Sequence, residues 1–179
     1  MVANLSELFN SFIWNCFCFG CSNAYVFLLQ IETKLSGCNN YKLLSDPTRK
    51  TSFKSLSPKE SRCDVIKTRV FHKPCIKYSD WQGQNWYRVN PTIGTKIPTS
   101  PVKFQHCGTN FPIWIESFSM PSLGQIKTDI PYCFAYGNNN VCLRFHLIKY
   151  GGGIKVRNCG QYILYYLSDA STFSAYCVE

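Results

Sequence analysis

Val141-Cys142-Leu143-Arg144-Phe145-His146-Leu147, then Gly151-Gly152-Gly153, then Ile154-Lys155-Val156-Arg157, is the stretch that sets the fold class. Val141, Leu143, Phe145 and Leu147 alternate with Cys142, Arg144 and His146, the period of two that marks a half-buried strand. The glycine triplet supplies a turn and the second run alternates again, so the stretch predicts a β-hairpin. Further along, Gln161 to Leu167 reads as another strand with tyrosines on both faces. Trp86-Tyr87-Arg88-Val89 is a short aromatic strand ended by Asn90-Pro91, and Pro112-Ile113-Trp114-Ile115 is one more. Gly94, Pro98 and Pro101 punctuate the connection between these two. With aromatics at 16% of 179 residues, no internal repeat and no long amphipathic helix, the chain predicts a mostly β fold of antiparallel sheets.

Cysteines Cys38, Cys63, Cys75, Cys107, Cys133, Cys142, Cys159 and Cys177 are spread through this β-rich part. No Cys-x-x-Cys occurs among them, and His72, His106 and His146 are too scattered to complete a metal or catalytic site. An even set of widely spaced cysteines predicts a disulfide framework, which persists only in an oxidising compartment. The location implied is secreted or outside the cell. No hydrolase, metalloprotease or phosphate-loop motif is present, so the chain reads as no enzyme, with no cofactor.

Residues Leu8 to Ile31 carry no charged side chain. They fit an apolar leader that a helix would suit, spanning about residues 1–31: a signal peptide cleaved near Ala24, or a signal anchor that keeps the chain on a membrane. Cys16, Cys18 and Cys21 lie inside it, without the His partners of a metal site.

All nineteen Lys and Arg residues follow residue 33, and the net charge is +9. They concentrate in an insert at about 49–77, which holds Arg49, Lys50, Lys54, Lys59, Arg62, Lys67, Arg69, Lys73 and Lys77 with little apolar content. That composition predicts an exposed loop, with Cys63 and Cys75 bridged locally to limit its excursions. A solvated insert is the plain reading, and anionic polysaccharide is the ligand such a run would hold. Nucleic acid does not suit the extracellular setting.

Cys38, Asp46-Pro47, Arg49, Trp86-Tyr87-Arg88, Ile97-Pro98-Thr99, Cys107-Gly108-Thr109, Pro112-Ile113-Trp114, Val156-Arg157-Asn158-Cys159-Gly160 and Ala175-Tyr176-Cys177 occur in that order. In this order they resemble the extracellular eight-cysteine domain of the uromodulin and zymogen-granule glycoprotein 2 type, over about residues 38–178. The resemblance implies bridges Cys38–Cys159, Cys107–Cys177 and Cys133–Cys142, with Cys63–Cys75 as a local addition. It also implies four cysteines that this chain lacks, where Ser79, Pro101, Val141 and Thr172 stand; these would have formed two bridges, each lost as a whole pair. The two long retained bridges close loops of about 120 and 70 residues, worth roughly 4–5 kcal/mol each by chain entropy. Val141, Leu143 and Phe145 are expected to compensate for the lost bridges by packing.

Vertebrate members of the family present glycans, but the single sequon here, Asn4-Leu5-Ser6, lies in the leader, and Asn90-Pro91-Thr92 is blocked by its proline. The function that remains is an extracellular binding or structural module for a protein or glycan. A basic polysaccharide-binding protein and a membrane-anchored receptor fragment are the alternatives.

Overall fold

The computed structural model describes residues 29, 32, 35–54, 61–65, 75–137, 139–143, 153–170 and 173–179. The chain divides into two compact units, Met1–Ser36 and Gly37–Glu179, and all the sheets belong to the second. Most of the predicted leader lies outside the described residues, among which no helix is long and apolar enough to cross a membrane.

Eleven described strands follow in order: β1 (Lys42–Leu44), β2 (Arg62–Cys63), β3 (Ile76–Lys77), β4 (Asn85–Val89), β5 (Phe111–Ile115), β6 (Ile126–Ile130), β7 (Tyr132–Tyr136), β8 (Asn139–Leu143), β9 (Ile154–Asn158), β10 (Ile163–Leu167) and β11 (Ser174–Tyr176). They make a five-stranded sheet in the order β1-β4-β10-β9-β6, a four-stranded sheet in the order β11-β5-β7-β8, and the pair β2-β3. The long pairings are antiparallel, but β1 on β4, β11 on β5 and β2 on β3 are parallel. Such pairings arise where a short returning segment is added at a sheet edge, and local sequence carries no signal for them.

Both main sheets contribute to one core. Leu44, Tyr87, Val156, Tyr165 and Leu167 from the first meet Ile113, Ile115, Ala175 and Tyr176 from the second. Alternation along β9 explains its role, since Ile154 and Val156 are buried while Lys155 and Arg157 are half-buried on the opposite face. β5 is buried on both faces because its Trp114 joins Val102, Cys107, Cys133 and Cys177 in a second cluster on the far side of its sheet. Gly153, just before β9, lies against a register shift in β6. A Cβ there would come 2.7 Å from the Cα of Asp129, so only glycine allows the approach.

The hairpin expected across Gly151–Gly153 is not how the described strands pair. β8 turns back on β7, with Cys133 opposite Cys142, whereas β9 pairs with β10 and β6 in the other sheet. β9 buries Ile154 and Val156 in the first sheet, whereas β8, whose Val141 is exposed, is tied to β7 by the Cys133–Cys142 bridge. Residues 144–150 lie outside the described residues.

Four disulfides staple the second unit: Cys38–Cys159, Cys63–Cys75, Cys107–Cys177 and Cys133–Cys142, with sequence separations of 121, 12, 70 and 9. Ser79, Pro101 and Val141, three of the four positions where the resemblance implied a cysteine, are exposed. Val141 is 37% exposed, so it does not supply the compensating packing expected of it. Phe145 and the side chain of Leu143 lie outside the described residues.

Candidate functional site

The basic insert does not fold as one exposed loop. Its first cation, Arg49, is completely buried, and Ser61, Cys63, Asp64 and Cys75 are buried with it. Local sequence sets Arg49 in place: the Asp46 carboxylate accepts the Thr48 N–H at 2.9 Å and caps the short turn Pro47–Arg49, with proline at its first position. The turn aims the guanidinium inward. There Nη1 and Nη2 donate to the two Asp64 oxygens at 2.8 and 2.6 Å, and Nη2 and Nε donate to Asp80 at 2.6 and 3.0 Å. Nη1 also reaches the Tyr176 carbonyl at 3.1 Å, and the Tyr78 ring covers the guanidinium at 3.8 Å.

This hub joins four segments distant in sequence. Asp64 accepts the Tyr176 N–H at 2.8 Å, and Asp80 accepts the N–H groups of Ser45 and Asp46. Arg62 pairs with Asp46 at 2.6 Å, and the Tyr78 hydroxyl donates to the Cys107 carbonyl at 2.6 Å. Burial opposes the charge on Arg49, but Asp64 and Asp80 outweigh it and hold its pKa above the ordinary arginine range. Burial likewise opposes ionisation of Asp80, and the Arg49 bonds and charge overcome it, leaving that carboxyl below the usual range. Complete burial pushes Asp64 up, which Arg49 and the Tyr176 N–H offset only in part.

Arg49 and Arg62 are therefore held in structural ion pairs, which corrects the expectation of a free polyanion-binding cation at these two positions. Lys50 and Lys54 sit in isolated bridges with Val178 and His106, and Lys77 lies on β3. Lys59, Lys67, Arg69 and Lys73, with His72 and His146, lie outside the described residues. His106 Nδ1 is 2.6 Å from the Thr51 carbonyl, beside an open cleft of about 270 Å³ lined also by Pro98, Pro101 and Lys103. Glu116 lies near Cys133 and Cys142, but those sulfurs are joined to each other and offer no thiolate to a metal.

A second set of cations stands on the face of the five-stranded sheet turned away from the shared core, where Leu164 is fully buried and Arg88, Lys155 and Arg157 are half-buried. Cross-strand register places Leu43 beside Arg88 and Leu164 beside Arg157, with Ile126 next to Arg157 at the far side. In the adjacent row Trp86 lies opposite Tyr166, and Tyr166 opposite Lys155. Each cation is held by a ring: Arg88 lies 4.1 Å over Tyr162, Lys155 lies 5.2 Å over Tyr166 and Arg157 lies 5.4 Å over Trp86. Trp86 and Tyr166 meet edge to face at 5.4 Å, and Arg88 donates to the Tyr41 hydroxyl at 3.2 Å.

Gly37 packs so closely on the Arg157 guanidinium that any side chain there would overlap it. These cations were not among the expected binding residues. The signal was present in the alternation of Trp86 with Arg88 and of Lys155 with Arg157, read there only as strand periodicity.

The comparisons with known proteins fit this architecture. The family model of the uromodulin-like domain of eight cysteines matches residues 87–178. The pancreatic secretory granule membrane major glycoprotein GP2 of Mus musculus is 27% identical over 147 residues, covering 79% of this chain and 23% of that protein. The chain thus spans 23% of the length of that relative.

Proposed function

Because the chain belongs to the family of uromodulin-like eight-cysteine domains, we propose that it acts as a disulfide-stapled extracellular module that binds or scaffolds a protein or glycan partner and catalyses no reaction. The observation that carries this reading is that the eight cysteines from Cys38 to Cys177 are all paired. Glutathione in the cytosol would work against such a framework, whereas an oxidising compartment maintains it. The relative named for the secretory granule membrane lies on the same route. The leader at about 1–31 then serves as a signal peptide, or as an anchor with the domain held outside the cell.

The arrangement of charge supports a binding rather than a catalytic role. Arg49, Asp64 and Asp80 spend their hydrogen-bonding capacity on one another and on backbone groups, so this hub is structural and holds no free acid–base group.

Expression of the full chain through the secretory pathway tests the reading. Thiol alkylation in denaturant, without reductant, should leave Cys38, Cys63, Cys75, Cys107, Cys133, Cys142, Cys159 and Cys177 unmodified. Secreted, folded protein that carries free thiols at these positions would overturn it.

A further inference from the structure

We propose that the cleft beside His106 is a binding site for a single acidic sugar unit, a ring that carries a carboxylate, an assignment that rests on the extracellular reading above. The cleft measures about 270 Å³, and Pro98, Ser100, Pro101, Lys103, His106 and Glu179 are among the residues that line it.

One covalent link holds its two sides. Cys107, next to His106, is bridged to Cys177, two residues before Glu179. On the first side, the His106 N–H donates to the Lys103 carbonyl at 3.2 Å, and Nδ1 lies 2.6 Å from the Thr51 carbonyl. Gln105 and Cys107, which flank His106, have φ of 60° and 56°. Residues other than glycine seldom adopt this left-handed backbone, and such positions gather at ligand sites. On the second side, the main-chain oxygen of Glu179 accepts the N–H groups of Thr95 and Lys96 at 2.7 and 3.1 Å, and its N–H donates to the Lys96 carbonyl at 2.9 Å. The cleft is thus formed before a ligand arrives, and binding there orders little of the protein.

The polar groups left over select the ligand. Lys103 is exposed and takes part in no ion pair among the described residues, while Glu179 is already paired with Lys96 at 3.1 Å. An uncompensated ammonium at the cleft calls for an anionic group. A carbonyl only accepts, so His106 carries a proton on Nδ1, and Nε2 is the nitrogen that remains for a ligand. The exposed Ser100 hydroxyl and the second Glu179 carboxylate oxygen call for hydroxyl partners, and the Glu179 charge disfavours a bare anion. Pro98 and Pro101 add apolar surface for the C–H groups of a ring. A sugar with one carboxylate and several hydroxyls meets all of these demands together. Size agrees, since the volume lies just under the range of about 300–1,000 Å³ that holds drug-sized ligands, which leaves room for one ring.

The test titrates the full secreted chain with four probes, followed by ligand-observed NMR. The probes are methyl glucuronide, the methyl glycoside of N-acetylneuraminic acid, methyl glucoside and acetate. At least one acidic sugar should bind about 10-fold or more tightly than either methyl glucoside, which lacks the carboxylate, or acetate, which lacks the ring. Preference for the glucuronide assigns a hexuronic unit and preference for the neuraminic glycoside a sialic one, and either supports the proposal.

Three variants at exposed positions locate the site. Lys103→Gln should weaken the acidic sugar about 10-fold and leave methyl glucoside unchanged, and Lys103→Arg should keep most of the affinity. Ser100→Trp should fill the cleft and abolish binding. Lys77→Gln, an equal charge loss on β3, should bind as the parent does.

Equal losses in Lys103→Gln and Lys77→Gln would reduce the effect to net charge and overturn the proposal. So would acetate or methyl glucoside bound as tightly as the acidic sugars, or full binding by folded Ser100→Trp. Secreted protein with all four disulfides that binds neither acidic sugar would overturn this inference and leave the extracellular reading standing. Free thiols would overturn the latter.

Discussion

Replacing Arg49 by methionine should destabilise the domain by about 3–5 kcal/mol at neutral pH, because it leaves buried carboxylates without their counter-charge. In the parent, the guanidinium donates to both Asp64 oxygens, to Asp80 and to the Tyr176 carbonyl, with the Tyr78 ring against its face. After the substitution, Asp64 stays at 0% exposure and keeps the Tyr176 N–H as a donor, but no cation. Methionine fills much of the volume, so the loss is electrostatic rather than a cavity.

The pH dependence separates these causes. In the parent, Asp80 titrates below its unfolded value of about 3.9. Its contribution is therefore complete above that pH and disappears as pH falls through the lowered folded value. Asp64 works in the opposite sense. Its pKa is raised by burial, so stability declines as pH rises from its unfolded value to the folded one. Without Arg49 both carboxyls move up, and the variant regains stability as pH falls from 7 toward 4. The gap between parent and variant should therefore narrow in acid.

Urea unfolding with the disulfides intact, followed by tryptophan fluorescence, measures this. Trp81 stacks on Tyr87 at 4.8 Å and donates to Asp169, close to the hub in the core. A loss of about 4 kcal/mol moves the midpoint by about 2 M for a slope near 2 kcal/mol/M. Arg49→Met/Asp64→Leu/Asp80→Asn should recover most of the loss, since a well-packed apolar replacement removes the stranded charges too. A single variant within about 1 kcal/mol of the parent at pH 7, or a gap independent of pH, would refute the account.

Two further outcomes follow from the same architecture. Removing Cys107–Cys177 as a serine pair should cost about 4–5 kcal/mol, and removing Cys63–Cys75 or Cys133–Cys142 nearer 2.5–3 kcal/mol, because the closed loops span 70, 12 and 9 residues; thermal unfolding of the three variants checks the ranking. Burial pushes Tyr78, Tyr165 and Tyr176 well above the ordinary phenol value and Tyr87 up to about 12. Stability should thus be intact below about pH 10 and decline as pH rises from there through those folded values, with these tyrosines ionising together on unfolding in an absorbance titration.

What could be read in the chain depended on how local its cause was. Alternation in Val141-Cys142-Leu143, Ile154–Arg157 and Ile163–Leu167 marks strands because each residue's face is set by its neighbours. The glycine triplet suggested that the first two of these runs pair with each other. They instead join different sheets, β8 against β7 and β9 against β10 and β6, partners that lie outside either run. The basic insert shows the same limit. Arg49 and Arg62 looked like exposed cations because their counter-charges, Asp64, Asp80 and Asp46, are brought to them by folding.

Side-chain period, residue type and parity were enough to establish the β-rich class and the even set of thiols from Cys38 to Cys177, because neither needs coordinates. Which cations are structural emerged only on folding. An arginine's role depends on what lies within a few ångströms of its guanidinium, and here those groups arrive from 15, 31 and 127 residues away.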